Sequence, residues 1–80
     1  MIKIRGCFVR DIDGAWHNTK NIFSFYVAGE ETVGYRICFS QEIPSRRHTK
    51  GYFNIGELHS TKESSQAQLD ALMDALEMQD

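Results

Sequence analysis

Apolar and polar residues alternate with a period of two through most of the first 56 positions of this chain, then switch to a helical period after Ser60. Ile2 and Ile4 alternate with Lys3 and Arg5, as in a strand with one buried face, and predict a first strand over 2–10. Gly6 interrupts it, and the apolar phase is lost across Cys7, Phe8 and Val9, as at a bulge or strong twist. Residues 11–20, with the turn dipeptide Asp13-Gly14, read as a long hairpin loop carrying Trp16 and His17.

The clearest hairpin joins 21–27 to 33–41 through a loop at 28–32. With Val27 opposite Val33, Phe25 pairs with Tyr35 and Phe23 with Ile37, which puts aromatic and β-branched partners on one face. Ser24, Tyr26, Arg36 and Cys38 then form a more polar opposite face. Residues 42–51 read as a loop, because Pro44 disfavours a central strand and Arg46, Arg47, His48 and Lys50 concentrate charge there. A fourth strand spans Tyr52 to Ile55, with Phe53 and Ile55 inward and Tyr52 and Asn54 outward.

The run from Ser60 to Gln79 is the one segment with an unambiguous helical period. At about 100° per residue, Leu69, Leu72, Met73 and Leu76 share one sector, and Glu63, Asp70, Asp74 and Glu77 share another. Ser60 with Glu63 fits a capping box, so the helix is expected to begin near Thr61. The predicted architecture is α+β: a single domain over 1–80 with a four-stranded, mostly antiparallel sheet in β-β-β-β-α order. Its C-terminal amphipathic helix packs on one face. A sheet with one greasy face needs a cover, and the Leu and Met stripe is the cover this chain provides.

Composition leaves this picture in place; charge adds to it. The net charge of −2 is unremarkable, but residues 1–56 carry eight Lys or Arg against five Asp or Glu, and residues 57–80 carry one against six. The sheet half is basic and the helix half acidic. No long apolar run follows Met1, which argues against a signal peptide or a membrane span and for a cytoplasmic protein. Cys7 and Cys38 are too few and too far apart for a disulfide scaffold or a zinc knuckle, and are expected to be free thiols.

Candidate chemistry is sparse. His17, His48 and His59 fall in three different loops or element ends, none beside a Cys or His at ligand spacing, so no metal or other cofactor is expected and the histidines read as solvated. Neither cysteine is marked as an activated nucleophile, and the helix carboxylates repeat along one stripe instead of facing each other as an acid–base pair. An enzyme is not the expected reading.

Two surfaces remain. The outer sheet face gathers Lys3, Arg5, Tyr26, Arg36 and Tyr52, with Arg46, Arg47, His48 and Lys50 at its margin, a mixture suited to phosphates and bases or to an acidic protein surface. Exposed strands also commonly carry Lys and Arg for solubility alone. The stripe of Glu63, Asp70, Asp74 and Glu77 is either the solvent face of an amphipathic helix or a row of carboxylates for a basic channel on a partner. The absence of Lys and Arg after Lys62 leaves that stripe without the usual i,i+4 ion pairs.

Ala67, Ala71 and Met78 form a small apolar strip that suits a homodimer contact or plain helix propensity. Trp16 reads equally as a plug for the core or as an anchor for a partner. The function expected from these residues is that of a small non-enzymatic interaction protein, of the kind phages or mobile elements use. Such a protein modulates or inhibits a larger nucleic-acid-handling complex by docking through charge complementarity. The alternative is a nucleic-acid-binding module using the basic, aromatic sheet face and loop.

Overall fold

In the computed structural model the chain is described over residues 2–43 and 46–77, with the side chains of 42–50 outside that description. The order is β1 (Ile4–Arg5), β2 (Phe8–Arg10), β3 (Trp16–Asn18), a 3-10 turn (Thr19–Asn21), β4 (Ile22–Glu30), β5 (Gly34–Ile43), β6 (Arg46–His59) and α1 (Lys62–Glu77). The class is α+β with antiparallel sheets and one C-terminal helix. The strands form not one four-stranded sheet but two of three strands, β1-β2-β3 and β4-β5-β6.

The departure begins at Gly6. Arg5 pairs directly with Phe8, so residues 6 and 7 are the whole connection between β1 and β2. Gly6 has φ +58°, the left-handed backbone that a two-residue hairpin turn requires and that glycine adopts without a side-chain penalty. The expected bulged strand over 2–10 is therefore a tight hairpin. Trp16–Asn18, expected in a loop, adds a third strand with Phe8 opposite Asn18, Val9 opposite His17 and Arg10 opposite Trp16.

The larger sheet keeps the expected faces in a different register. Val27 pairs with Ile37 and Phe25 with Phe39, four positions beyond the Val33 and Tyr35 partners expected. A shift by an even number leaves every side chain on its own face. Val33 instead lies exposed at the turn, and a bulge between Ile22 and Ser24 turns Phe23 out to 58% exposure. Residues 42–51 are not a loop: β5 runs to Ile43, β6 starts at Arg46, and Glu42 pairs with Lys50. Pro44 lies outside the described residues.

The inner face of the larger sheet carries Ile37, Phe39 and Ile55, all fully buried, with Phe25, Val27 and Phe53 beside them. Two covers share it. Helix α1 lies against β4, β5 and β6 and contributes buried Leu69 and Leu72, with Met73 and Leu76 at the edge. Ser65, one turn before Leu69, belongs to the same stripe and is fully buried. The helix is capped by Thr61, whose Oγ1 accepts from the Ser64 amide at 3.2 Å, one position beyond the Ser60 cap expected. His59 ties the end of β6 to this helix, its Nε2 hydrogen-bonded to Gln68 Oε1 at 3.0 Å and its Nδ1 to the Ser64 hydroxyl at 3.2 Å.

The second cover is the small sheet, whose Val9 is fully buried and whose His17 ring meets Phe39 edge-on at 4.9 Å and Phe53 at 4.6 Å. The Ile12 amide also donates to the Asn54 carbonyl at 3.1 Å, joining the small sheet's turn to β6. Among the described residues no helix is long and apolar enough to cross a membrane.

Candidate functional site

The period of two that sends Val9 and His17 into the core sends their neighbours out. Ile4, Val9 and His17 line up across the three short strands, so Arg5, Phe8 and Asn18 form one outward row. Lys3, Arg10 and Trp16 form the other, with the Arg10 amide donating to the Lys3 carbonyl at 3.1 Å. Lys3, Arg5, Phe8, Arg10 and Trp16 are all exposed.

Trp16 organises this face. The guanidinium carbon of Arg5 lies 5.6 Å from the indole centroid and that of Arg10 lies 5.8 Å from it, both within cation–π range. Arg10 is held further by Nε, which donates to the Gly14 carbonyl at 3.0 Å. Gly14 has φ +93°, and a Cβ there would stand 3.3 Å from Arg10 Nη2, so glycine is what lets the turn close under the arginine. No carboxylate among the described residues lies within ion-pair distance of Lys3, Arg5 or Arg10.

The turn beneath the face is built on one buried carboxylate. Asp11 Oδ1 accepts from the amides of Asp13 at 2.9 Å and Ala15 at 3.0 Å, an Asx turn closed twice. Its Oδ2 accepts from His17 Nε2 at 2.6 Å. Asp11 is 7% exposed and His17 9%. Burial pushes the Asp11 carboxyl up, but the hydrogen bonds from His17, Ala15 and Asp13 outweigh it, and the net position is below the ordinary aspartate value. An Asp–His pair so enclosed fixes strand β3 against β2 and the rings of Phe39 and Phe53.

No family model, curated protein or solved structure matches this chain.

The face expected from the sequence therefore divides. Tyr26, Arg36 and Tyr52 do share the outer face of the larger sheet, with Tyr26 paired to Cys38, Arg36 to Ala28 and Tyr52 to Ser40. Lys3 and Arg5 belong to the other sheet and are not their strand neighbours. The backbone of Arg46, Arg47, His48 and Lys50 lies in β6, and their side chains lie outside the described residues. Glu63, Asp70, Asp74 and Glu77 are all exposed along α1. Asp70 accepts from Gln66 Nε2 at 3.1 Å.

Among the described side chains, the outer face of the larger sheet is mostly uncharged. Ser24 and Ser40 hydroxyls meet at 3.3 Å, and the Cys38 thiol donates to Asn54 Oδ1 at 3.0 Å. Burial pushes that thiol up against the opposing pull of Arg36, so it stays protonated, the unreactive form. Burial likewise pushes the Tyr26 hydroxyl up, helped by Cys38 and Tyr52. Both cysteines are free.

Sequence reasoning placed Trp16 and His17 together in a loop and missed that they lie on opposite faces of one strand. The signal was present in the alternation Phe8, Val9, Arg10 against Trp16, His17, Asn18, but three residues are too few to distinguish a strand from chance. His17 and His59, expected in solvent, are engaged in the bonds described above; the His48 side chain lies outside the described residues.

Proposed function

We propose that this chain is a non-enzymatic docking domain that modulates a larger protein assembly by occupying a charged surface on it. The observation that carries the reading is the outer face of the small sheet, where Lys3, Arg5 and Arg10 are exposed around Trp16 with no carboxylate partner among the described residues. Charges left unpaired on a rigid face are available to a partner, and Arg and Trp are the residues that dominate interface energetics. The exposed carboxylates of Glu63, Asp70, Asp74 and Glu77 supply a second surface of opposite sign.

The chain's ionisable core pair supports a structural role over a catalytic one. Asp11 and His17 spend their hydrogen bonds on the turn and on each other. The alternative, a nucleic-acid-binding sheet face, loses support because its cationic residues Lys3 and Arg5 sit on a different sheet from Tyr26, Arg36 and Tyr52.

Co-purification of the tagged chain at rising salt, alone and with Arg5→Glu plus Arg10→Glu or Asp70→Lys plus Asp74→Lys, tests the reading. A partner released by at least one of these reversals, and by salt near about 0.5 M where surface charge is screened within a few ångströms, agrees with it. A partner held equally by the parent and both variants at that salt refutes docking by charge.

A further inference from the structure

We propose that the outer face of the small sheet is a recognition site for a short acidic segment of a partner protein, seating two carboxylates on the Arg5 and Arg10 guanidinium groups beside Trp16. This rests on the docking reading above and names its surface and the chemistry of its partner. Both guanidinium carbons lie within 6 Å of one indole centroid, at 5.6 and 5.8 Å. They are therefore at most about 11 Å apart. Same-side residues two apart on an extended chain are roughly 7 Å apart, so two such carboxylates can each reach one fork.

Indole contact and the Gly14 carbonyl hold Arg10 ahead of binding, which lowers the ordering cost of capturing an anion. Phe8 and Ile12, 41% and 47% exposed, extend the face with apolar surface that isolated phosphates do not use. The extent of the basic patch favours a short acidic segment over a nucleic-acid strand. At the Lys3–Arg10 edge the face opens into a cleft of about 520 Å³ that Ile2 and Ile12 line together with Asp13 and Glu57. A phosphate backbone continuing past Arg10 would run its next charge onto the Asp13 carboxylate; a peptide can follow its glutamates with an apolar side chain that the isoleucines accept.

Trp16 is the one tryptophan in the chain, so its emission reports this face directly. The probe is a capped octapeptide with two glutamates two positions apart followed by leucine, compared with its glutamine counterpart and with a ten-nucleotide oligothymidylate. A saturable change in Trp16 emission is expected with the glutamate peptide. Binding should be weaker by roughly tenfold or more for the glutamine peptide and for the Arg5→Gln plus Arg10→Gln variant, since charge-assisted bonds of this kind are worth that much each. Arg5→Lys plus Arg10→Lys, which keeps the charge but not the fork, should fall between parent and Gln variant.

No saturable change, equal binding of the glutamine peptide, or tighter binding of the oligothymidylate would overturn the proposal, the last assigning the face to nucleic acid. If the peptide fails while Asp70→Lys plus Asp74→Lys still releases a co-purifying partner, the docking reading survives and only this surface is wrong.

Discussion

Helix α1 and the small sheet cover the same inner face of the larger sheet by different means. The helix seats Leu69 and Leu72 on it and needs no charge there. The small sheet has fewer residues to spend: its fully buried apolar side chain is Val9, and its other buried member is His17, an imidazole made acceptable to Phe39 and Phe53 by the Asp11 carboxylate. A three-stranded sheet with strands of two or three residues cannot hold position by area alone. A buried polar pair adds direction where burial adds only adhesion. The helix is thus the stability element, and the small sheet is a positioned one, which suits a face meant to be read by a partner.

The largest effect that separates the two covers is expected at the helix. Leu72→Ala should cost about 2–5 kcal/mol in a urea melt, close to the whole stability of a domain this size; a melt overlaying the parent would remove the helix from its role. Asp11→Ala should cost about 1–3 kcal/mol, because it strands the His17 ring and two turn amides. If Asp11→Ala is silent in the same melt, Val9 and the Ile12–Asn54 bond suffice to seat the small sheet.

A smaller effect should appear in acid. The Asp11 carboxyl titrates below its unfolded value, so its contribution is present above about pH 4, the ordinary aspartate range, and is lost as pH falls through the lower folded value. Denaturation midpoints measured from pH 5 down to pH 2 should therefore fall more steeply for the parent than for Asp11→Asn. Parallel curves would mean the carboxylate is not specially bound. Smallest of all, Arg5→Gln plus Arg10→Gln should cost about 1 kcal/mol, the order of two exposed cation–π contacts to Trp16. A larger loss by thermal melt would make those arginines structural and the face less free than it looks.

What the sequence made legible follows the length of its patterns. The helix stripe, the inward Phe53 and Ile55, and the polar side of the β4–β5 hairpin were readable, because period and phase persist over enough residues to average out exceptions. The register was not readable, because moving Val27 from Val33 to Ile37 leaves the pattern unchanged. Ser65 escaped because a serine at a core position carries no apolar signal. The small sheet was hidden by its own brevity, and Gly6 read as a flaw in one strand because a turn of two residues leaves no room for a cluster of loop residues. The Asp11–His17 pair depends on a carboxylate six positions before its partner, on the far side of a turn, a spacing with no local period to reveal it.

The claim that most depends on this fold is that strand β3 turns His17 inward and Trp16 outward from a sheet of its own. Side-chain nuclear Overhauser contacts settle it most directly. His17 ring protons should show contacts to the Phe39 and Phe53 rings, while the Trp16 indole should contact the Arg5 and Arg10 methylenes and not Phe39. Trp16 contacts into the Phe39 cluster with His17 free of it, or backbone contacts that place 2–10 as one strand beside β4 or β6, would contradict it.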